Sequence, residues 1–247
     1  GAGGSIERPI NDSKGCGGVM RVASVGLYLG SSRMAGLAAD LVAADVAALT
    51  HGHELGYIPA AMLSHMVRLL SHSTEISLEA AVQDSMEAIR RIFPKAVHLP
   101  TFLAKIQLAL QLAKTSGSDL DAIHALGEGW CGDEALAIAV FCAVKYQDDF
   151  DKALLAAVNH GGDSDSTGAI TGNLLGAYLG LSHIPEKYMD HLELLDVITE
   201  IAEDLYYDCQ INEYTYPEEP RDVAWEKKYI DITYGGNDPD ESAGSSV

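Results

Sequence analysis

A chain of 247 residues that is 47% hydrophobic is long enough for one large domain with a substantial core, and that composition excludes wholesale disorder. A formal net charge of −20 excludes a protein that grips nucleic acid through the phosphate backbone, which needs clustered Lys and Arg. Aromatic residues are sparse at 7% while Ala, Leu and Gly abound, a bias toward close helix–helix packing that predicts an all-α fold.

Residues 1–18 are rich in Gly, Ser, Pro and Asn, lack a hydrophobic period and read as an extended loop. The loop ends in Asn11-Asp12-Ser13-Lys14-Gly15-Cys16-Gly17-Gly18-Val19-Met20-Arg21, a glycine-rich run opening onto a helix. Free backbone N–H groups at such a junction suit an anion, and glycines let a phosphate come close; a tight turn at a helix entry is the competing account. Arg21 suits either a phosphate or an internal carboxylate.

Helical spacing then runs from Val19 to about Gly30. A second, Ala-rich helix follows from Ser32 to Leu49, with Met34, Leu37, Leu41, Val42, Val46 and Leu49 recurring at helical intervals. Thr50 to Pro59 reads as a break. It holds His51, placed for a ligand hydrogen bond or for backbone at a helix end, and His53, which at i+2 forms no metal pair with it. Further helices are expected over 60–71, 77–92, 100–114 and 119–126.

Gly127-Glu128-Gly129-Trp130-Cys131-Gly132-Asp133-Glu134 is a second glycine-punctuated loop. Trp130 suits stacking on a base or ribose, or anchoring the core; Glu134 suits a substrate contact or a first-turn acid. Residues 133–146 are apolar nearly all round and predict a buried helix, and 150–159 predict another.

His160-Gly161-Gly162-Asp163-Ser164-Asp165-Ser166-Thr167-Gly168 is the most informative stretch. Two carboxylates and several hydroxyls, crowded behind two glycines at a helix start, suit a hard cation such as Mg²⁺ better than zinc, and exceed what a helix cap requires. The helix expected from Thr167 to Leu181 carries Gly168, Gly172, Gly176 and Gly180 four apart, a stripe that predicts close approach by a neighbouring helix. Residues 185–207 complete the helices of a single domain spanning 1–207; residues 208–247 read as an irregular acidic tail.

Cys16, Cys131, Cys142 and Cys209 show no paired spacing and read as reduced thiols. With no signal pattern and no apolar run long enough for a bilayer, a cytoplasmic location without membrane contact is expected.

In this order, the stretches 11–21, 50–57, 129–134 and 160–168 resemble the ADP-ribosylglycohydrolase family, which includes hydrolases acting on ADP-ribosylated arginine and on dinitrogenase reductase. The resemblance implies a compact all-α bundle around two divalent cations, Mg²⁺ or sometimes Mn²⁺. It also implies hydrolysis of the glycosidic bond between ADP-ribose and a protein side chain, arginine first. Carried over by position, Asp163, Asp165 and Ser166 become metal ligands, with Asp163 and Asp165 catalytic through the metal. Ser13, Lys14, Gly15, Cys16, Gly17, Gly18 and Met20 line the ADP-ribose phosphates, His51 contacts the ligand, and Trp130 and Glu134 lie on the substrate side. The family's N-terminal Ser/Thr-Asp-Asp-Thr cluster has no match here; Asp148-Asp149 lacks the hydroxyl, and Asp238 and Asp240 lie in the tail. The resemblance therefore covers the C-terminal two-thirds of the family domain and implies a partner, a separate N-terminal portion completing the site. The alternative is a catalytically incomplete ADP-ribose-binding fragment or interaction module.

Overall fold

The computed structural model describes residues 3–30, 34, 36–73, 75–208 and 220–229. Contacts divide the chain into residues 1–192 and 193–247. In the first unit the helices are α1 (Ala23–Leu29), α2 (Gly36–Ala48), α3 (Glu54–His72), α4 (Leu78–Ile92), α5 (Leu99–Ala113), α6 (Asp119–Leu126), α7 (Gly132–Lys145), α8 (Phe150–Val158) and α9 (Ser164–Leu179). A 3-10 turn at Cys16–Gly18 precedes them, and two more follow α9. Among the described residues there is no strand, and an isolated antiparallel bridge joins Gly15 to Cys131. The all-α expectation holds.

The helix starts are written locally. Ser77 accepts from the Ala80 amide, Ser118 from that of Asp121 and Asp149 from that of Lys152, each satisfying an amide with no intrahelical partner. Asp149 is thus a cap, paired also with Lys152 at 2.7 Å. His53 caps α3 by accepting from the Leu55 amide, so this helix begins six residues before the expected Ala60. Pro59 falls inside it. Its missing N–H frees only the Leu55 carbonyl, and α7 exploits the gap: a Cβ on Gly132 would stand 2.5 Å from that oxygen.

The core is centred on α7. Every residue from Ala135 to Ala143 is fully buried, as the apolar run predicts, among α3, α4, α5, α6, α8 and α9. Phe102, Phe141, Ile58, Met62 and Met66 are its largest fully buried side chains.

One helix face differs from expectation, and another is set by packing. In and beside α2, Met34, Leu37, Leu41 and Leu49 are exposed, Val42 and Val46 are half-buried, and Ala39, Ala43, Ala44, Ala47 and Ala48 are buried. The small side chains bring α2 close against α3, so the core-facing stripe is alanine. On α9, Gly168 does meet a neighbour, since a Cβ would lie 2.6 Å from Val158, but Gly172, Gly176 and Gly180 have nothing within 4 Å of a Cβ position. The described residues bring no helix onto that part of the stripe. The α9 start also shifts, to Ser164, which places Asp165 and Ser166 in its first turn.

The second unit contains α10 (Leu195–Tyr207) and α11 (Pro220–Tyr229), where Lys228 pairs with Glu200 and Asp204 at 2.6 Å each. A helix at 220–229 corrects the reading of 208–247 as wholly irregular; Pro220 at its start fits the first-turn preference of proline. The expected start of the second helix at Ser32, the thiol Cys209, and the acidic end with Asp238 and Asp240 lie outside the described residues. No helix of the described residues is long and apolar enough to cross a membrane.

Candidate functional site

Three loops distant in sequence meet at one end of the first unit: residues 11–18, residues 127–131 and residues 160–163. Backbone bonds lace the first two together. The Cys16 amide donates to the Trp130 carbonyl at 3.1 Å and the Gly132 amide to that of Lys14 at 2.9 Å. The second and third are joined by the Asp163 amide, which donates to the Glu128 carbonyl at 2.7 Å. Gly162 is required there, because a Cβ would stand 1.9 Å from that same oxygen.

Asp163 occupies the N-cap position of α9, yet its side chain caps nothing. Its Oδ2 instead accepts from the Cys16 thiol at 2.8 Å and from the Ser166 hydroxyl at 3.0 Å. Ser166 Oγ lies 3.1 Å from Met20 Sδ and 3.2 Å from Cys16 Sγ. Asp163, Ser166, Cys16 and Met20 therefore form one buried or half-buried cluster spanning both strong motifs. Burial by itself would raise the Asp163 carboxyl, but the hydrogen bonds it accepts, those from the Cys16 thiol and the Ser166 hydroxyl among them, outweigh it and hold the group below the usual carboxylate range. Burial, then the Asp163 acceptor, pushes the Cys16 thiol up to about 11, so it stays a donor at neutral pH. Asp165 is exposed at the rim.

His51 packs across the glycine-rich loop. A Cβ on Gly15 would lie 3.3 Å from its Nε2, one on Gly17 3.4 Å from it, and one on Gly18 3.3 Å from its Cγ, so three glycines make room for one ring. Arg21 donates to the Val46 and Ala47 carbonyls and to Thr50 Oγ1 at 2.6, 3.1 and 2.7 Å. It caps the end of α2, and its partners among the described residues include no carboxylate. Thr50 Oγ1, which accepts from Arg21, also lies 2.8 Å from His51 Nδ1; in the tautomer where the hydroxyl donates to Nδ1, the ring proton sits on Nε2, beside the loop. Burial and then the nearby Arg21 charge lower the His51 pKa, favouring that neutral form.

Other sequence-named residues divide by role. Ser13 Oγ accepts the Gly15 amide at 3.4 Å and shapes the loop, and Lys14 is exposed on it. Trp130 is 58% exposed and so is not a core anchor. Glu134 turns inward: its Oε2 accepts the amides of Glu128 and Gly129 at 3.2 Å each. His160 stays inside its own loop, accepting the Gly162 amide at Nδ1 and donating from Nε2 to Thr167 Oγ1. Thr167 in turn donates to the Ala157 carbonyl at 2.7 Å. Sequence reasoning missed Thr50 and Lys105, which act through partners 29 and 28 residues away and carry no local signal.

A hollow of about 340 Å³ beside the glycine-rich loop is lined by Asp12, Gly52, His53, Glu54, Val97 and His98. Another of about 420 Å³, lined by residues that include Asp119 and Asn159, touches none of the acidic cluster.

Two carboxylates and a hydroxyl, with Asp163 held ionised, fit part of the oxygen shell of a hard divalent cation. Among the described residues no group of three or more His, Cys, Asp and Glu side chains is arranged to hold a metal by itself. The donor set is right in kind and incomplete in number.

Residues 2–214 match the family model described as ADP-ribosylglycohydrolase. The human ADP-ribosylhydrolase ARH3 is 26% identical over 219 residues, covering 78% of this chain and 58% of that protein. ADP-ribosylarginine hydrolase Tri1 of Serratia proteamaculans is 42% identical over 69 residues, 28% of this chain and 19% of that one. The ADP-ribosyl-[dinitrogen reductase] glycohydrolase of Rhodospirillum rubrum is 43% identical over 47 residues, 19% and 16% respectively. The chain spans less than two-thirds of the length of these relatives.

Proposed function

From the premise that this chain belongs to the ADP-ribosylglycohydrolase family, we propose that it forms the larger part of an enzyme hydrolysing the glycosidic bond between ADP-ribose and a modified protein side chain, with arginine the first linkage to test. One observation carries the reading. The Cys16 thiol of the glycine-rich loop lies 2.8 Å from Asp163 Oδ2, so the loop suited to a diphosphate and the carboxylates suited to a cation share one surface.

Asp163, Asp165 and Ser166 would hold Mg²⁺, or Mn²⁺, in part. Such an ion polarises ribose hydroxyls and lowers the pKa of a bound water. The chain's own residues do the rest. The glycine-rich loop admits the pyrophosphate close to its backbone, and the His51 Nε2–H donates to the ligand. Trp130 offers an exposed ring face to the base or ribose. Holding these remote parts positions the ribose carbon, where oxocarbenium character builds as the bond to the acceptor breaks.

The remaining ligands and the general base are assigned to a further portion of the whole protein or a companion polypeptide. The α9 face bearing Gly172 and Gly176, open among the described residues, suits a closely packed helix. A cytoplasmic setting fits the free thiols Cys16, Cys131 and Cys142.

The test is release of ADP-ribose from an ADP-ribosylated arginine peptide with and without Mg²⁺, for the chain and for Asp163→Ala. Release that is independent of Mg²⁺, or undiminished in the variant, overturns the assignment. A second reading, an ADP-ribose-binding module without turnover, is favoured by the incomplete donor set. Calorimetric binding of ADP-ribose with no release by the chain would support it.

A further inference from the structure

The half-buried Glu134 carboxylate is engaged by the backbone of the loop that precedes it. Its Oε2 accepts two successive amides, those of Glu128 and Gly129, at 3.2 Å. Two glycines make this turn possible. Gly127 has φ +134°, where a Cβ would lie 2.5 Å from the Glu134 carboxyl carbon, and Gly129 has φ +87°, where one would lie 3.0 Å from Thr167. From α5, Lys105 fixes the base of the arrangement, with its Nζ 2.5 Å from Asp133 Oδ2 and 3.8 Å from Glu134 Oε1. The clamped segment then reaches outward both ways: the Glu128 carbonyl accepts the Asp163 amide, and the Trp130 carbonyl accepts the Cys16 amide.

We infer that Glu134 is a positioning residue. Its carboxylate, steadied by Lys105, holds the 127–131 loop as a bracket that sets Asp163 and the glycine-rich loop at a fixed separation. It does not contact substrate. The consequence for activity rests on reading Asp163 as a metal ligand; the bracket itself does not.

The test therefore uses a reporter that needs neither metal nor turnover. Cys16 is 9% exposed and bonded to Asp163, so its alkylation by iodoacetamide, followed peptide by peptide in the full chain, reads the spacing directly. Glu134→Ala is expected to speed Cys16 alkylation at least tenfold and to speed exchange of the Asp163 amide. Glu134→Gln keeps an acceptor oxygen for both amides and is expected to restore protection to within about threefold of the parent. Lys105→Met should give an intermediate rate. If Glu134→Ala melts too early to assay, the Glu134→Gln and Lys105→Met pair carries the test. Unchanged Cys16 and Asp163 protection in Glu134→Ala overturns the proposal. A raised KM for ADP-ribosylated peptide at unchanged kcat, with protection intact, overturns it in favour of substrate contact. Absence of hydrolysis in the parent chain would sink the functional reading and leave the protection result standing.

Discussion

The thiol of Cys16 and the carboxylate of Asp163, 147 residues apart in the chain, are joined by a 2.8 Å hydrogen bond at the meeting point of the two strongest sequence motifs. The bond works in both directions. Adding to burial, it helps push the thiol up to about 11, and it helps keep the carboxyl ionised.

The raised thiol has a measurable consequence. An unperturbed cysteine titrates at about 8.5, so Cys16 should be alkylated far more slowly than a free thiol at pH 8, with the rate climbing toward pH 11. Because the folded value lies above the unfolded one, the stability tied to this group is fully present below about pH 8.5. It is lost as pH rises through about 11. Urea unfolding of the parent and Cys16→Ala across pH 7 to 10.5 checks the slope; identical pH dependence would refute the assignment.

Asp163→Ala removes the acceptor for a buried thiol and hydroxyl as well as a carboxylate from the cluster. Hydrolysis is expected to vanish and Mg²⁺ binding to weaken, with a stability loss of about 1–3 kcal/mol from the unsatisfied donors. Calorimetric titration of Mg²⁺ and denaturant melts separate the two effects.

His51 should stay neutral to lower pH than a free imidazole, since burial and then the Arg21 charge depress its pKa. The stabilisation it provides as a neutral donor is present above its unfolded value of about 6.5 and disappears only as pH drops through the lower folded value. ADP-ribose affinity is thus expected to persist to lower pH than a free imidazole would allow. His51→Ala should weaken it about tenfold, one hydrogen bond's worth at roughly 1.4 kcal/mol.

Two glycine substitutions should have opposite signs. Gly162→Ala forces a methyl to within 1.9 Å of the Glu128 carbonyl and is expected to cost about 1–3 kcal/mol and disrupt the site. Gly172→Ala meets nothing within 4 Å and should raise the stability of this chain by about 0.5–1 kcal/mol through helix propensity. If a helix packs there in the whole protein, the same substitution should weaken that assembly. Thermal melts, with and without the companion portion, give both readings.

The helices were legible because caps and periodicity are local. Ser77 and Ser118 each announce a start in two or three residues, and the apolar run from Ala135 to Ala143 announces burial outright. The faces of α2 and α9 were not legible. Leu41 outward and Ala43 inward is decided by how closely α3 approaches, which no spacing within α2 encodes. Pro59 misled for a related reason: it removes one helix bond without ending α3, and Gly132, 73 positions onward, packs against the carbonyl so freed. At the site, residue types pointed to oxygen chemistry and a glycine-lined loop, and the structure brings the two together. The indirect roles stayed hidden. Arg21 suited a phosphate or a carboxylate, and Glu134 a substrate contact or a first-turn acid; the fold gives Arg21 two backbone carbonyls and Thr50, and makes Glu134 a first-turn acid of α7 that accepts two backbone amides.

The glycine-rich loop and the 127–131 segment are both tied to the first turn of α7, the most deeply enclosed helix of the first unit. Helices with no solvent-facing side tend to exchange their amide hydrogens only when the whole fold lets go. The loop junction should share that slow clock, while the ring of Trp130, exposed at its edge, keeps a fast one. Hydrogen exchange would then find the most exposed aromatic of the first unit standing on one of its slowest-opening backbones.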